Sequence, residues 1–178
     1  MAGRNEEKLS GFSDFLTKEG VDSSTFISNY PIDEMKYSKI LEIRQVRTVI
    51  SMIGTGYPES LPFIGSDSII DTIQSNLMVN LDIIKKSSLV LKSCRGNIVI
   101  FNSIAGIIPQ EGSSVYTASK FALRGLIENL RYEIRNFNIG LSSLYFQNVE
   151  KIGITPILDS VMMAIKNKSL NFDFIINA

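Results

Sequence analysis

The chain has 178 residues, enough for one domain with a sizeable core, and its 44% hydrophobic and 20% charged residues are ordinary for a globular protein. Lysine plus arginine equals aspartate plus glutamate at 18 each, so no charge excess points to nucleic acid or an anionic membrane, and no apolar run reaches the roughly 18 residues of a membrane span. The single Cys94 and the lack of histidine exclude an internal disulfide, a histidine metal site and serine–histidine hydrolysis. With no signal-peptide pattern in MAGRNEEKLS, a cytoplasmic protein is the expectation.

In chain order, AGRNEEKLSGFSDFL reads as a turn followed by a helix, with Asn5 as N-cap and Glu6 and Glu7 where the helix dipole favours negative charge. A short strand is expected over residues 25–28, a turn at Pro31 and a helix from about Asp33. Residues 45–52, QVRTVISM, are apolar enough for a central strand. Gly54 and Gly56 follow as a Gly-x-Gly. Pro58 and polar residues come next instead of a helix, so a loop at a strand end is a better reading than a pyrophosphate cradle. From residue 67 to about 92, apolar residues fall at 69, 70, 73, 77, 78, 81, 84, 89 and 91, the pattern of a long helix with two apolar faces. One face is core; the other is either a partner surface or buried in the same monomer.

Ile98, Val99, Ile100 and Phe101 form a continuous apolar run, as in a parallel strand covered on both faces. Ser103 falls just past its carboxyl end, where open α/β sheets bind ligands. Gly106, Pro109 and Gly112 mark a loop. From Tyr116 the residues Leu123, Leu126, Ile127, Leu130, Ile134 and Phe137 recur at helical spacing. LSSLYF is a further strand, PILDSVMMAI a helix and NFDFIINA an edge-like strand; no internal repeat or low-complexity tract interrupts the series.

Tyr116 and Lys120 are four residues apart and so share one helix face. A free phenol, with a pKa of about 10, is a poor base at neutral pH. An ammonium beside it favours the phenolate and draws that value towards working pH, a role open to Lys120. Ser103 has a hydroxyl that can donate to a carbonyl oxygen or accept from an alcohol. None of these side chains can supply a hydride, so carbonyl or alcohol chemistry here requires a redox cofactor.

Ser103, Tyr116 thirteen residues on and Lys120 four beyond that, set in NSIAG and YTASK after a strand and before a helix, resemble the signature of the short-chain dehydrogenase/reductase family. The resemblance implies that Tyr116 is the acid/base, that Lys120 lowers its pKa and holds the cofactor ribose, and that Ser103 orients the substrate. It also implies an asparagine from the preceding helix in the proton relay. Asn76, 27 residues before Ser103, fits that place better than Asn80, which lies a turn too close.

The resemblance further implies an NAD(P) cofactor. Gly3 and Arg4 occupy the turn that selects the ribose, with no acid before Glu6, so NADP(H) is expected over NAD(H) and Arg4 is a cofactor contact. The family's Asn-Asn-Ala-Gly is here Ser51, Met52, Ile53 and Gly54. Only Gly54 is kept, as the remaining cofactor-side contact at that strand end. The family's first strand and glycine-rich turn, about 30 residues, have no counterpart in this sequence. Its Pro-Gly turn and lid after the sixth strand are replaced by FQNVEKIGIT. The helices over residues 67–92 and 116–136 correspond to those through which the family forms homodimers and homotetramers.

The fold expected is a three-layer α/β sandwich, a Rossmann-like and mainly parallel sheet lacking the first strand and glycine-rich loop, in one incomplete domain over residues 1–178. Loss of a central strand would leave its neighbours with exposed apolar edges. Two functions follow. One is an NAD(P)-dependent oxidoreductase acting on a small-molecule alcohol or carbonyl compound, weak or inactive as this chain; the other is a non-catalytic remnant that serves as a structural or partner-binding protein.

Overall fold

The computed structural model describes residues 2–3, 6–18, 26–27, 37, 46–57, 59–147, 154–166 and 173–176. Its strands are β1 (Ala2–Gly3), β2 (Phe26–Ile27), β3 (Thr48–Ser51), β4 (Asn97–Ser103), β5 (Gly140–Phe146) and β6 (Asp173–Ile176). Its α-helices are α1 (Glu6–Lys18), α2 (Ser66–Ile73), α3 (Val79–Leu91), α4 (Ser114–Glu133) and α5 (Ile154–Lys166). Every strand pairing is parallel: β1 with β2, and β3-β4-β5-β6 in that order. Sequential strands separated by helices and paired in parallel are the crossover arrangement the apolar runs predict.

Strand periodicity sorts the core into two layers. Ile98 and Ile100 of β4 and Leu141 of β5 pack with Ile84 and Leu91 of α3 and with Leu123 and Ile127 of α4. The alternate residues Val99, Phe101, Leu144 and Phe146 face the other way, onto Val161 and Ala164 of α5. Phe101 and Phe146 stack with ring centroids 4.8 Å apart. Helices on both faces of a parallel sheet make the expected three-layer sandwich.

Among the described residues, β1–β2 and β3-β4-β5-β6 form two separate sheets. Val49 of β3 is covered by α3 through Val79 and Ile83, whereas Ile50, pointing to the opposite face, stays 44% exposed. β3 covers Thr48–Ser51 within the span expected over residues 45–52; just beyond it, Asn80 bonds the Ser51 hydroxyl and the Ile53 carbonyl.

The long helix anticipated over residues 67–92 is present but not uniform. Between α2 and α3, residues Gln74–Met78 form a π-turn. Its apolar faces differ in burial: Ile83, Ile84 and Leu91 are core, whereas Ile70, Met78 and Leu89 remain exposed. Ser103 is the last residue of β4, not the first beyond it, and the expected loop begins with a 3₁₀ turn over Ile104–Gly106. The helix from Tyr116 starts two residues earlier, at Ser114, and gives way to a 3₁₀ turn over Arg135–Phe137. The Asn5 cap, the turn at Pro31, most of the helix from Asp33 and the FQNVEKIGIT replacement from residue 148 to 153 lie outside the described residues.

Candidate active site

Two parallel strands end side by side, with Ser103 of β4 in register with Phe146 of β5. Ser103 is buried; its hydroxyl accepts from Ala105 N–H at 3.2 Å and its own N–H donates to the Asn102 side chain at 2.8 Å. The Asn102 amide reaches the backbone carbonyl of Lys120 at 3.4 Å, which ties the strand end to α4. Gly106 makes that approach feasible: a Cβ there would lie 2.8 Å from the Lys120 carbonyl oxygen.

On α4, Lys120 Nζ lies over the Tyr116 ring, 5.5 Å from its centroid. The lysine is 4% exposed, and burial, which penalises the charged form, lowers its pKa from 10.5 to about 8. The amine is therefore still mostly protonated at pH 7. Ser119, fully buried between the two, donates to the Tyr116 carbonyl at 2.6 Å and accepts from Asn76 Nδ2 at 2.9 Å.

Asn76 sits in the π-turn with no exposed surface. Its side chain clamps the backbone of Thr55, accepting from the N–H at 2.8 Å and donating to the carbonyl at 2.8 Å. Those bonds, with the one to Ser119, occupy both amide protons and one acceptor position. Its backbone carbonyl accepts from Asn80 Nδ2 at 2.9 Å. Asn80, also fully buried, in addition donates to the Ile53 carbonyl at 3.3 Å and accepts from Ser51 Oγ at 2.7 Å. A π-turn disturbs the regular i→i+4 ladder, and here the Asn80 side chain bonds a carbonyl inside it.

Gly54 lies against this group. A Cβ there would come within 3.0 Å of Asn76 Oδ1 and 3.1 Å of Lys120 Nζ. The sequence patterns single out neither Ser119 nor a site role for Ser51, read Gly56 as a loop glycine at a strand end, and favour Asn76 over Asn80. The YTASK run itself contained the signal for Ser119, one residue before the lysine.

Lys120 and Tyr116, two donors on one helix face with Gly54 packed closely against the Lys120 amine, are of the kind that fit the ribose end of a nicotinamide dinucleotide. The pyrophosphate end finds no such cradle among the described residues. Gly56 leads into turns over residues 59–64, and α2 begins only at Ser66 after Gly65. Arg4 lies outside the described residues.

The family profile for short chain dehydrogenase matches residues 41–150. The chain belongs to the short-chain dehydrogenase family. Among curated relatives, 3-ketodihydrosphingosine reductase of Bos taurus is 26% identical over 155 residues, covering 82% of this chain and 47% of that protein. The enzyme of the same name from Dictyostelium discoideum is 46% identical over 50 residues, 28% of this chain and 15% of that protein. The chain thus spans about half or less of these two relatives. Among solved structures, a metagenomic short-chain oxidoreductase in complex with NADP superposes with a TM-score of 0.86 at 19% identity, covering 99% of this chain and 83% of that one. A short-chain dehydrogenase from Mycobacterium smegmatis gives 0.83 at 13% identity, covering 99% and 78%. These likenesses show the shared short-chain dehydrogenase fold.

Proposed function

We propose that the chain carries the catalytic core of an NADP(H)-dependent oxidoreductase that interconverts a small-molecule alcohol and a carbonyl compound. The observation that carries this reading is the buried Lys120 amine over the Tyr116 ring, on a helix packed against the carboxyl end of β4. In this reading Tyr116 exchanges a proton with the substrate oxygen and Lys120 keeps positive charge beside the phenol. Ser103 presents its hydroxyl to the same oxygen, and Asn76 contributes to the relay while holding the turn at Thr55 in place. The bound dinucleotide supplies the hydride. Preference for NADP(H) is supported by the absence of an acidic residue before Glu6 and by the NADP complex among the similar structures. The similarity to proteins named 3-ketodihydrosphingosine reductase supports a keto group as the reacting function.

The cytoplasm is the working compartment in this reading, and exposed Ile70, Met78 and Leu89 on α2, the π-turn and α3, with Phe121 and Tyr132 on α4, support a homodimer or homotetramer. A second reading is a non-catalytic, partner-binding relative. It is favoured by the lack of a glycine-rich turn opening a helix among these 178 residues. Losing two or three charge-assisted hydrogen bonds, each worth about 1.5–3 kcal/mol, weakens dinucleotide binding by roughly 10² to 10⁶. Calorimetric titration of NADPH and NADH into the purified 178-residue chain decides between the two. A dissociation constant near or below about 10 μM, tighter for NADPH, supports the enzyme; millimolar or weaker binding supports the alternative.

A further inference from the structure

Gly56 is not required by its backbone. Among the described glycines only Gly112 has a positive φ, so Gly56 occupies a conformation open to any residue. What it cannot accept is a side chain. A Cβ at Gly56 would sit 2.8 Å from Cδ2, 3.1 Å from Cε2 and 3.3 Å from Cγ of Tyr116. The backbone of the turn therefore lies directly on the phenol ring.

That turn is anchored on both sides of the glycine. Thr55 is clamped through its N–H and carbonyl by Asn76, each at 2.8 Å. The Tyr57 hydroxyl donates to Asp71 Oδ2 at 3.0 Å, and Asp71 Oδ1 accepts from Ser75 Oγ at 3.3 Å. Both anchors belong to α2 and the π-turn, whereas Tyr116 belongs to α4. The ring is thus held between its own helix and a turn fastened to a different one. Beside it, Gly56, Tyr57, Gln110, Ser113 and Tyr116 line a cleft of about 310 Å³.

We propose that Gly56 is a positioning residue for Tyr116. The missing side chain sets the distance between the anchored turn and the phenol, and Tyr57, held by Asp71, keeps the turn from lifting away. This role rests on the oxidoreductase reading, since it matters only if the phenol must meet a substrate in a fixed orientation. A methyl group at position 56 would lie 2.8 Å from Tyr116 Cδ2, so either the ring or the anchored turn must shift to admit it.

The test is NMR of the full chain with ring-labelled tyrosine. Six tyrosines are present, and the Tyr116 resonance is identified by its loss in Tyr116→Phe. In Gly56→Ala the Tyr116 resonance is expected to shift, while that of Tyr132, exposed on the same helix, stays in place. Tyr57→Phe, which removes the bond to Asp71 without adding bulk, should move the same resonance by a smaller amount. An unmoved Tyr116 resonance in Gly56→Ala overturns the proposal. Should Gly56→Ala not fold, an unmoved resonance in Tyr57→Phe overturns it instead. The readout needs neither cofactor nor turnover, so a chain that shows the shift but does not bind NADPH would refute the oxidoreductase reading and leave the contact standing.

Discussion

The amine of Lys120 lies 5.5 Å from the centre of the Tyr116 ring, one helical turn along α4, in surroundings that leave the lysine 4% exposed. A buried ammonium is costly, and part of that cost appears as the fall in its pKa from 10.5 to about 8.

The first prediction concerns pH. Between pH 8 and 10.5 the unfolded chain holds a proton on this lysine that the folded chain has released, so the Lys120 contribution makes stability rise with pH across that window. Below it the full penalty stands, about 3 kcal/mol at about 1.4 kcal/mol for each pH unit between the two values. Lys120→Met removes the penalty at the loss of a cation–π contact worth about 1 kcal/mol. Denaturant unfolding at pH 7 should show the variant about 1–2 kcal/mol more stable than the parent. The two should converge as the pH approaches 10.5. A variant less stable at pH 7 would show that the charge is better compensated than burial implies.

The second prediction separates chemistry from folding. Tyr116→Phe removes one hydroxyl and should lower carbonyl reduction by roughly 10² to 10⁴ with little change in the unfolding midpoint. Lys120→Ala should weaken both turnover and NADPH binding. Steady-state kinetics with NADPH consumption checks both, and full activity in Tyr116→Phe would rule out the proton-transfer role.

The third prediction tests the amide network under the site. Asn80→Leu leaves Ser51 Oγ and the carbonyls of Ile53 and Asn76 without the partner they now have. Each orphaned buried group costs about 1–3 kcal/mol, so a loss of about 3 kcal/mol or more is expected by chemical denaturation. Asn80→Asp, which keeps the acceptor for Ser51 but loses the donor, should also destabilise. An Asn80→Leu variant as stable as the parent would mean that water replaces the amide at no cost.

A fourth prediction contrasts two glycines. At Gly106 a Cβ would lie 2.8 Å from the carbonyl oxygen and 3.1 Å from the carbonyl carbon of Lys120, backbone atoms that cannot rotate aside. Gly106→Ala should cost about 1–3 kcal/mol. Gly125, inside α4, meets nothing within 4 Å. Gly125→Ala should stabilise by about 0.5–1 kcal/mol, since alanine loses less backbone entropy in a helix. Thermal unfolding of the two variants should move in opposite directions.

Much of this architecture was legible in one dimension. The apolar run over Ile98–Phe101 reads as a strand covered on both faces, and the helical periodicity from Leu123 to Ile134 as one buried side of a helix; all of these residues but Leu126 and Leu130 are buried. Ser103, Tyr116 and Lys120 stood out because their spacing combined with a strand before and a helix after. Other features were not legible because they depend on partners far along the chain. Ser51 at the end of β3 bonds Asn80, 29 residues away, and the carbonyl of Asn76 in the π-turn accepts from the Asn80 side chain. The Gly-x-Gly at residues 54–56 illustrates the difference. As a string it suggested a poor phosphate cradle. In three dimensions each glycine is where backbone meets a site residue, Gly54 against Lys120 and Asn76, and Gly56 against Tyr116.

The sequence by itself determined the alternation of strands and helices, the two-faced burial of β4 and the set of side chains capable of proton transfer, because periodicity and side-chain chemistry are local properties. Tertiary structure alone decided how deeply Lys120 is buried, which backbone groups Asn76 and Asn80 hold, and that Ile50 of β3 is left exposed. Desolvation and close approach depend on what surrounds an atom in space, and residues distant in sequence supply those surroundings.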